Sequence, residues 1–340
     1  MNAKLQLTLA AGDYESIRAL KEGIVKPEGI ELTILTDMTA EVRHARMLRD
    51  RHFDIAELSM SNYLVAQDNG LPFIAIPVFL HRRFRHGFVF VNTSKNITKP
   101  TDVIGKKVGV GSYHATANLW MRGILEHEFD MPHNQIHWFK EVGEKIPWQS
   151  PPGLSIQKIP AGKNIVDMLL AAELDAVIDP EVIRPIATKD PRVRRLFRNY
   201  RDLEIAYFKR TGIFPIMHTT AIKQEIVDKH PWVPASLMQA FEESKKLAYK
   251  RMENPRIVPL AWFRSFVEEQ EEIFGSDPWV YGLGGANRKN VETLMQYSYE
   301  QGLIGRKMAL EQLFIDTTAH PTSTVAALSS VRTTPASHST

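Results

Sequence analysis

Residues 81–92 read HRRFRHGFVFVN and set Arg82, Arg83, Arg85 and His86 between two apolar runs, 73–80 and 88–91. Both runs have the length and the aromatic and β-branched content of buried strands. Arginine is rarely buried unless it is paired. A chain that inserts cations between two buried strands must either loop them into solvent or fold a polar cleft around them. For Arg82 and Arg83 both readings stand. Arg85 and His86 alternate into the second run, which favours a cleft wall that receives an anion.

The preceding sequence has a clear rhythm. Residues 5–10 (LQLTLA) alternate as a strand and end at Gly12-Asp13-Tyr14. A helix over 16–22, a strand over 29–35, a helix over 39–49, a strand over 53–58 and a helix over 59–67 follow. This βαβαβ order predicts an α/β sheet with mostly parallel strands. Ligands collect at the carboxyl ends of such strands, which points to Asp13, Glu57, Ser59 and the basic cluster. Beyond residue 92 the rhythm restarts with a strand over 108–110 and a helix opened by Ser112-Tyr113-His114. Residues 138–162, rich in Pro and Gly and carrying Glu144, Lys145 and Trp148, read as loop. A helix over 165–172, a strand over 174–178 and a further strand after 193–197 are expected. The apolar run 212–222 is interrupted by His218. Helices are expected over 232–252, 260–274 and 289–301. The Ser/Thr-rich segment 318–340 reads as a disordered tail.

A length of 340 residues suits about two domains of roughly 150 residues each. Runs 88–92 and 213–218 read as two crossings between lobes. Lobe 1 is then 1–91 and 215–317, with the C-terminal helices, and lobe 2 is the insert 92–214. This is the two-lobed α/β plan of type 2 periplasmic-binding-protein folds, with a ligand held between the lobes.

Composition removes several classes. Lysine and arginine total 42 against 39 acidic residues, so no lopsided basic stripe for nucleic acid exists. Without cysteine there are no disulfides, thiolate metal sites or cysteine nucleophiles. No apolar window approaches a membrane span. The first sixteen residues lack an apolar stretch of signal-peptide length, so a cytoplasmic location is expected. Phosphate-binding and serine-hydrolase motifs are missing. The long C-terminal helices can pair subunits, which makes a homo-oligomer a further expectation.

The strings FDIAELSMSNY, PFIAIPVFLHRRFRHGFVFVN, DVIGKKVGVGSYHATANLWMRGIL, YFKRTGIFPIMHT and WVYGLGGANRK are similar to those of the 4,5-dihydroxyphthalate decarboxylase family, over about residues 4–315. The resemblance implies a solute-binding-protein fold in an intracellular enzyme. It implies a small aromatic dicarboxylate as substrate, with protocatechuate and CO2 as products. Direct loss of CO2 from an aryl carbon leaves an electron pair stranded in the ring plane. Protonating that ring carbon first, with electrons supplied by the para hydroxyl, gives a dearomatised intermediate whose C–C cleavage restores the ring. The route needs an acid at the carbon, an acceptor at the phenol and a cation on the remaining carboxylate. It demands no cofactor. A divalent metal among His81, His86, His114 and His218 is the alternative, although the spacing matches no motif such as H-E-x-x-H.

On that reading Arg85, with Arg83, clamps the carboxylate, because a guanidinium fork matches it in a bidentate way. His86 and His218 are the acid and base candidates. Ser112, Tyr113 and His114 offer N–H groups to an anion at a helix start, and Thr116 faces the same end. Asp13 and Glu57, with Ser59 nearby, would accept the catechol hydroxyls. Each has a structural alternative: an internal ion pair for Arg85, core packing for the histidines, helix capping for Ser112, Asp13 and Glu57. A non-catalytic binder of a small aromatic or dicarboxylic acid is the alternative function.

Overall fold

The alternation of Leu5–Ala10 makes the first of eleven strands among residues 3–317, the part of the chain described by the computed structural model. In chain order the strands are β1 (Leu5–Ala10), β2 (Ile30–Leu35), β3 (Ile55–Ser59), β4 (Phe73–Ile76), β5 (Val89–Asn92), β6 (Lys107–Val110), β7 (His137–Lys140), β8 (Ile156–Lys158), β9 (Ala176–Ile178), β10 (Val193–Arg195) and β11 (His218–Lys223). They form two sheets, in the orders β2-β1-β3-β11-β4 and β10-β5-β9-β6-β7-β8. Neighbours β1, β2 and β3 are parallel, as the βαβαβ order requires, and β11 enters antiparallel between β3 and β4. The expected tail, 318–340, lies outside the described residues.

Some expectations need correction. β7 and β8 lie inside the segment read as loop. They are short, sit at one edge of the second sheet, and pair in parallel with β6 and with each other. Neither carries an apolar run, so neither announced itself. After β10 the chain forms the helix Tyr200–Thr211, not a strand. Asp202 in its first turn and Lys209 and Arg210 in its last complement the helix dipole, and Gly212 closes it in the left-handed conformation at φ 69°. β5, read as a crossing, is a full member of the second sheet through β9 and β10. The passage between sheets therefore lies before residue 89, not at 92.

The two passages run side by side. Arg82 and Ile216 form an antiparallel bridge. The N–H of Met217 donates to His81 O at 2.9 Å, and that of Arg83 to Pro215 O at 3.1 Å. Trp120 Nε1 donates to Ile216 O at 2.9 Å. Arg82 is spent here: its guanidinium donates to Phe214 O, Val280 O and Asn287 Oδ1 at 3.1, 3.0 and 2.5 Å. It is a buried cation whose Nη1 and Nη2 are held by carbonyl oxygens, with Nε unpartnered among the described residues, and it is neither solvated nor in the cleft lining.

The largest apolar core runs through both halves. Phe53, Tyr63 and Phe79 join Trp120 and Trp138 of the second half in one cluster. The helix Gly285–Glu300 contributes Val291 and Leu294 and packs on both the Met60–Asp68 and Thr116–Phe129 helices. At its tightest point Gly123 faces the Tyr297 ring, which a β-carbon at position 123 would overlap. Gly123→Ala is therefore expected to destabilise by about 1–3 kcal/mol, although alanine is the better helix former by up to about 1 kcal/mol. Urea unfolding of the variant checks this, and an unchanged or raised midpoint refutes the close packing.

Candidate active site

The site begins with a strand pairing. In the antiparallel register of β3 and β11, His218 lies opposite Ser59 and Thr220 opposite Glu57. Glu57 and Ser59 are two apart and share a face, so Glu57 is the diagonal neighbour of His218, within reach of long side chains. Glu57 Oε1 meets His218 Nδ1 at 2.5 Å. The same carboxylate accepts from Arg43 Nη2 at 2.6 Å, Tyr14 Oη at 2.7 Å and the Gly12 N–H at 2.7 Å. Burial alone would raise the Glu57 pKa. The charges and hydrogen bonds of His218 and Arg43, with the Tyr14 hydroxyl, outweigh it and hold the carboxyl well below the usual range. An ionised carboxylate only accepts, so Nδ1 of His218 carries a proton. Nε2 has no partner among the described residues, and His218 lines the cleft between the sheets.

Two more imidazoles flank it. His44 and His81 meet the His218 ring edge-on, with centroids at 5.0 and 4.8 Å. Burial lowers the pKa of each, and the His218 charge adds to the effect. Both are neutral at ordinary pH. The cleft has a volume of about 620 Å³. At its floor Ser59 Oγ meets Thr116 Oγ1 at 2.8 Å, and the Ser61 N–H donates to the same Thr116 oxygen at 3.1 Å. Arg85 is buried on the wall. Its Nη1 donates to Pro180 O at 2.8 Å and its Nε faces Met217 Sδ at 3.1 Å. It makes no ion pair, and Nη2 has no acceptor, among the described residues. Burial, with Arg83 nearby, lowers its pKa to about 9, so it remains a cation.

The other expected residues lie elsewhere. Arg83 pairs with Glu181 at 3.3 Å and stacks on Phe88, away from the cleft lining. His86 does not alternate into β5, because His86–Phe88 is a 3-10 turn. Its ring is enclosed by Phe129, Phe197 and Tyr207, and Glu204 is 3.8 Å away. Ser112 Oγ and the N–H groups of Tyr113 and His114 do hold an anion, at 2.7, 3.1 and 3.1 Å, but the anion is Glu144 of this chain. Tyr113 stacks between Trp148 and Arg122, and His114 is fully buried beside Trp148. Asp13 is exposed and paired with Lys21 at 2.8 Å. Of the expected set, the cleft therefore gathers His218, Arg85, Ser59, Thr116 and Ser112, with Glu57 behind His218. His86, His114 and His218 occupy three separate environments and form no trio. The strand-end rule also points to Tyr14, beside Asp13, whereas Arg43 and His44 carry no such signal, because a helix reading AEVRHARMLRD shows only charge periodicity.

The buried histidines couple stability to pH. Burial lowers His86 and His114 to about 4. The unfolded chain, with histidine near 6.5, binds protons that the fold refuses. Their stabilisation is present above pH 6.5 and is lost as pH falls towards 4, by up to roughly 3 kcal/mol each. Urea midpoints measured from pH 7.5 to 4.5 should fall, and His86→Leu should flatten the slope. A slope unchanged by the substitution counts against a neutral, enclosed His86.

Residues 16–128 match the family described as NMT1/THI5 like. The periplasmic aliphatic sulphonate binding protein SsuA of Escherichia coli superposes with a TM-score of 0.54 at 13% identity, covering 93% of both chains. SsuA of Xanthomonas axonopodis pv. citri, bound to MOPS, gives 0.51 at 12% identity, covering 91% of this chain and 97% of that one. At such identities the likeness shows the fold, a two-lobed type 2 periplasmic-binding-protein-like α/β architecture. A 4,5-dihydroxyphthalate decarboxylase of Pseudomonas putida is 34% identical over 203 residues, 58% of this chain and 78% of that one. The Comamonas testosteroni protein of the same name is 33% identical over 330 residues, 94% of this chain and 98% of that one. With that identity sustained across nearly its whole length, the chain belongs to the 4,5-dihydroxyphthalate decarboxylase family.

Proposed function

We propose that this protein removes one carboxylate from 4,5-dihydroxyphthalate, or a close hydroxylated aromatic acid, to give protocatechuate and CO2. The observation that carries the reading is the Glu57–His218 pair opening onto a cleft that also holds Arg85, a buried cation with no carboxylate partner among the described residues. A vicinal dicarboxylate supplies that partner. Arg85 takes the carboxylate that stays, through the guanidinium edge not used by Pro180. Glu57 accepts from Nδ1–H and fixes the orientation of His218, so that in the imidazolium form Nε2–H is the donor that faces the ring.

The step balances without an added cofactor. The para hydroxyl loses its proton, and its electrons flow through the ring as the carbon bearing the leaving carboxylate takes a proton from His218 Nε2. That carbon becomes tetrahedral. The C–C bond then breaks, its electron pair restores the aromatic ring, and CO2 departs. His218 recovers its proton from water. His44 and His81, neutral and dry, keep other charge away from Nε2.

Purified protein incubated with 4,5-dihydroxyphthalate should release CO2, with and without a chelator. His218→Ala should keep substrate affinity and lower kcat by about 10²–10⁴-fold. In heavy water the product should carry deuterium at the carbon that lost CO2. Arg85→Lys should raise KM strongly, because lysine keeps the charge and loses the fork. A wild type that binds the dicarboxylate and releases no CO2 would make this a binding protein. Activity that chelation removes and one divalent ion restores would replace the general-acid route with metal chemistry.

A further inference from the structure

The decarboxylation route needs something to stabilise the phenol oxygen as it becomes a phenolate, and the residues expected for that task are committed elsewhere. Asp13 is exposed and bound to Lys21. Glu57 is filled by Arg43, Tyr14, Gly12 and His218. A carboxylate held in its ionised form by four donors is a poor acceptor for a fifth. The cleft holds one other candidate cation besides Arg85. Lys145 lines it, is partly buried, and makes no hydrogen bond or ion pair through Nζ among the described residues.

The backbone of Lys145 is well fixed. On one side Glu144 is locked by Ser112 Oγ and the N–H groups of Tyr113 and His114. On the other, Ile146 is buried. The Lys145 carbonyl itself accepts from Arg49 Nε at 3.4 Å. The side chain is therefore the free end of a clamped loop, and it reaches into the cleft.

Its position relative to Arg85 follows from topology. In the first sheet β11 lies between β3 and β4. The helix Ala40–Asp50, which carries His44, packs on β3, and β4 leads into His81. His44 and His81 thus approach His218 from the two sides of its strand. Lys145 stands against the helix that carries His44, through the Arg49 Nε to Lys145 O bond, and Arg85 faces Met217, whose N–H donates to His81 O. The cleft then runs from Lys145 through His44, His218 and His81 to Arg85. In 4,5-dihydroxyphthalate the carboxylates and the hydroxyls occupy opposite edges of the ring, each carboxyl para to a hydroxyl. A ring centred on His218 with its carboxylate edge on Arg85 turns its hydroxyl edge to Lys145.

Resting on the decarboxylase reading, we infer that the Lys145 ammonium is the group that binds the catechol edge of the substrate and stabilises the phenolate para to the departing carboxylate. The phenol O–H breaks with its proton released to water. Nζ–H donates to the resulting oxygen anion, and the electron pair moves into the ring as His218 protonates the carbon. After CO2 leaves, the pair returns to the oxygen, which is again a phenolate on Lys145. Burial lowers the pKa of Lys145 and Arg49 adds to that, against Glu41 and Glu144. Glu141 and Glu41 also line this end of the cleft, and neither pairs with Lys145 among the described residues. A bound phenolate would meet the ammonium directly, which neither of these carboxylates does.

The test uses two ligands that do not turn over. Protocatechuate carries the catechol edge with one carboxylate, and phthalate carries both carboxylates with no hydroxyl. Ionisation of bound protocatechuate is followed by its ultraviolet spectrum against pH, and both affinities are measured by titration calorimetry. In wild type the bound phenol should ionise at lower pH than in water. Lys145→Met should raise that midpoint by about one unit or more and weaken protocatechuate roughly tenfold, with phthalate affinity unchanged. Lys145→Arg should recover most of the loss. Arg85→Met should weaken both ligands. Equal weakening of phthalate and protocatechuate by Lys145→Met, or an unmoved ionisation midpoint, overturns the assignment. If Lys145→Met fails to fold, Lys145→Gln is read in the same way. A wild type that decarboxylates beside an indistinguishable Lys145→Met sinks this contact and leaves the decarboxylase reading standing. A wild type that shows the ligand pattern and releases no CO2 does the reverse.

Discussion

A single buried carboxylate organises this molecule. Glu57 has no exposure, and an isolated carboxylate in that position would cost several kcal/mol. It is kept ionised by four donors from three places in the chain: the Gly12 N–H and Tyr14 hydroxyl after β1, the Arg43 guanidinium and the His218 ring. Together they tie three elements to β3: the segment after β1, the helix Ala40–Asp50 and β11. The charge is thus a register pin for the first sheet and the group that orients the His218 ring. Removing any one donor leaves part of a charge unmatched in an apolar surrounding, which is far costlier than losing a surface contact.

Around that pin the cleft is built from rigid parts. Its floor is two passages hydrogen-bonded to each other and clamped by Arg82 and Trp120. Its walls share a core that the helix Gly285–Glu300 carries across from one sheet to the other. The cationic groups left with open valences, Arg85 and Lys145, stand on this frame and not on free loops. The side chains that line the cleft are therefore positioned by the fold itself, which suits the aim at one ring carbon that the proposed reaction would require.

Much of the frame could be read from residue order, and the failures have physical causes. The alternation at 5–10 and the βαβαβ rhythm located β1, β2 and β3, because half-buried parallel strands leave a period in the sequence. β7 and β8 were missed, because three- and four-residue edge strands bury too little to leave one. His218 stood out as a lone histidine in an apolar strand. His86 looked equivalent, and only the 3-10 turn at His86–Phe88 separates them. Ahead of the Thr116–Phe129 helix, Ser112, Tyr113 and His114 were expected to meet a substrate anion, and they hold Glu144 instead, thirty residues beyond His114. The partnership of Glu57 with His218 spans 161 positions and depends on a strand register that local sequence does not encode.

The place of β11 has a further consequence for how the chain is made. Thr219 of β11 bonds to Ile76 of β4, 143 residues earlier. At ribosomal speeds of about 5–20 residues per second, β3 and β4 wait roughly 7–30 s for the strand that joins them. During that interval the nascent amino-terminal half has a gap in its sheet, bare strand edges beside it, and a buried-to-be carboxylate without its imidazole. Such edges invite pairing with other chains. The half-made protein is thus a natural client for holding chaperones, and a truncated transcript yields a sticky fragment without a reactive centre. The Glu57–His218 pair comes only with the strand that completes the sheet, so a molecule released early from the ribosome lacks the pair on which the proposed reaction rests.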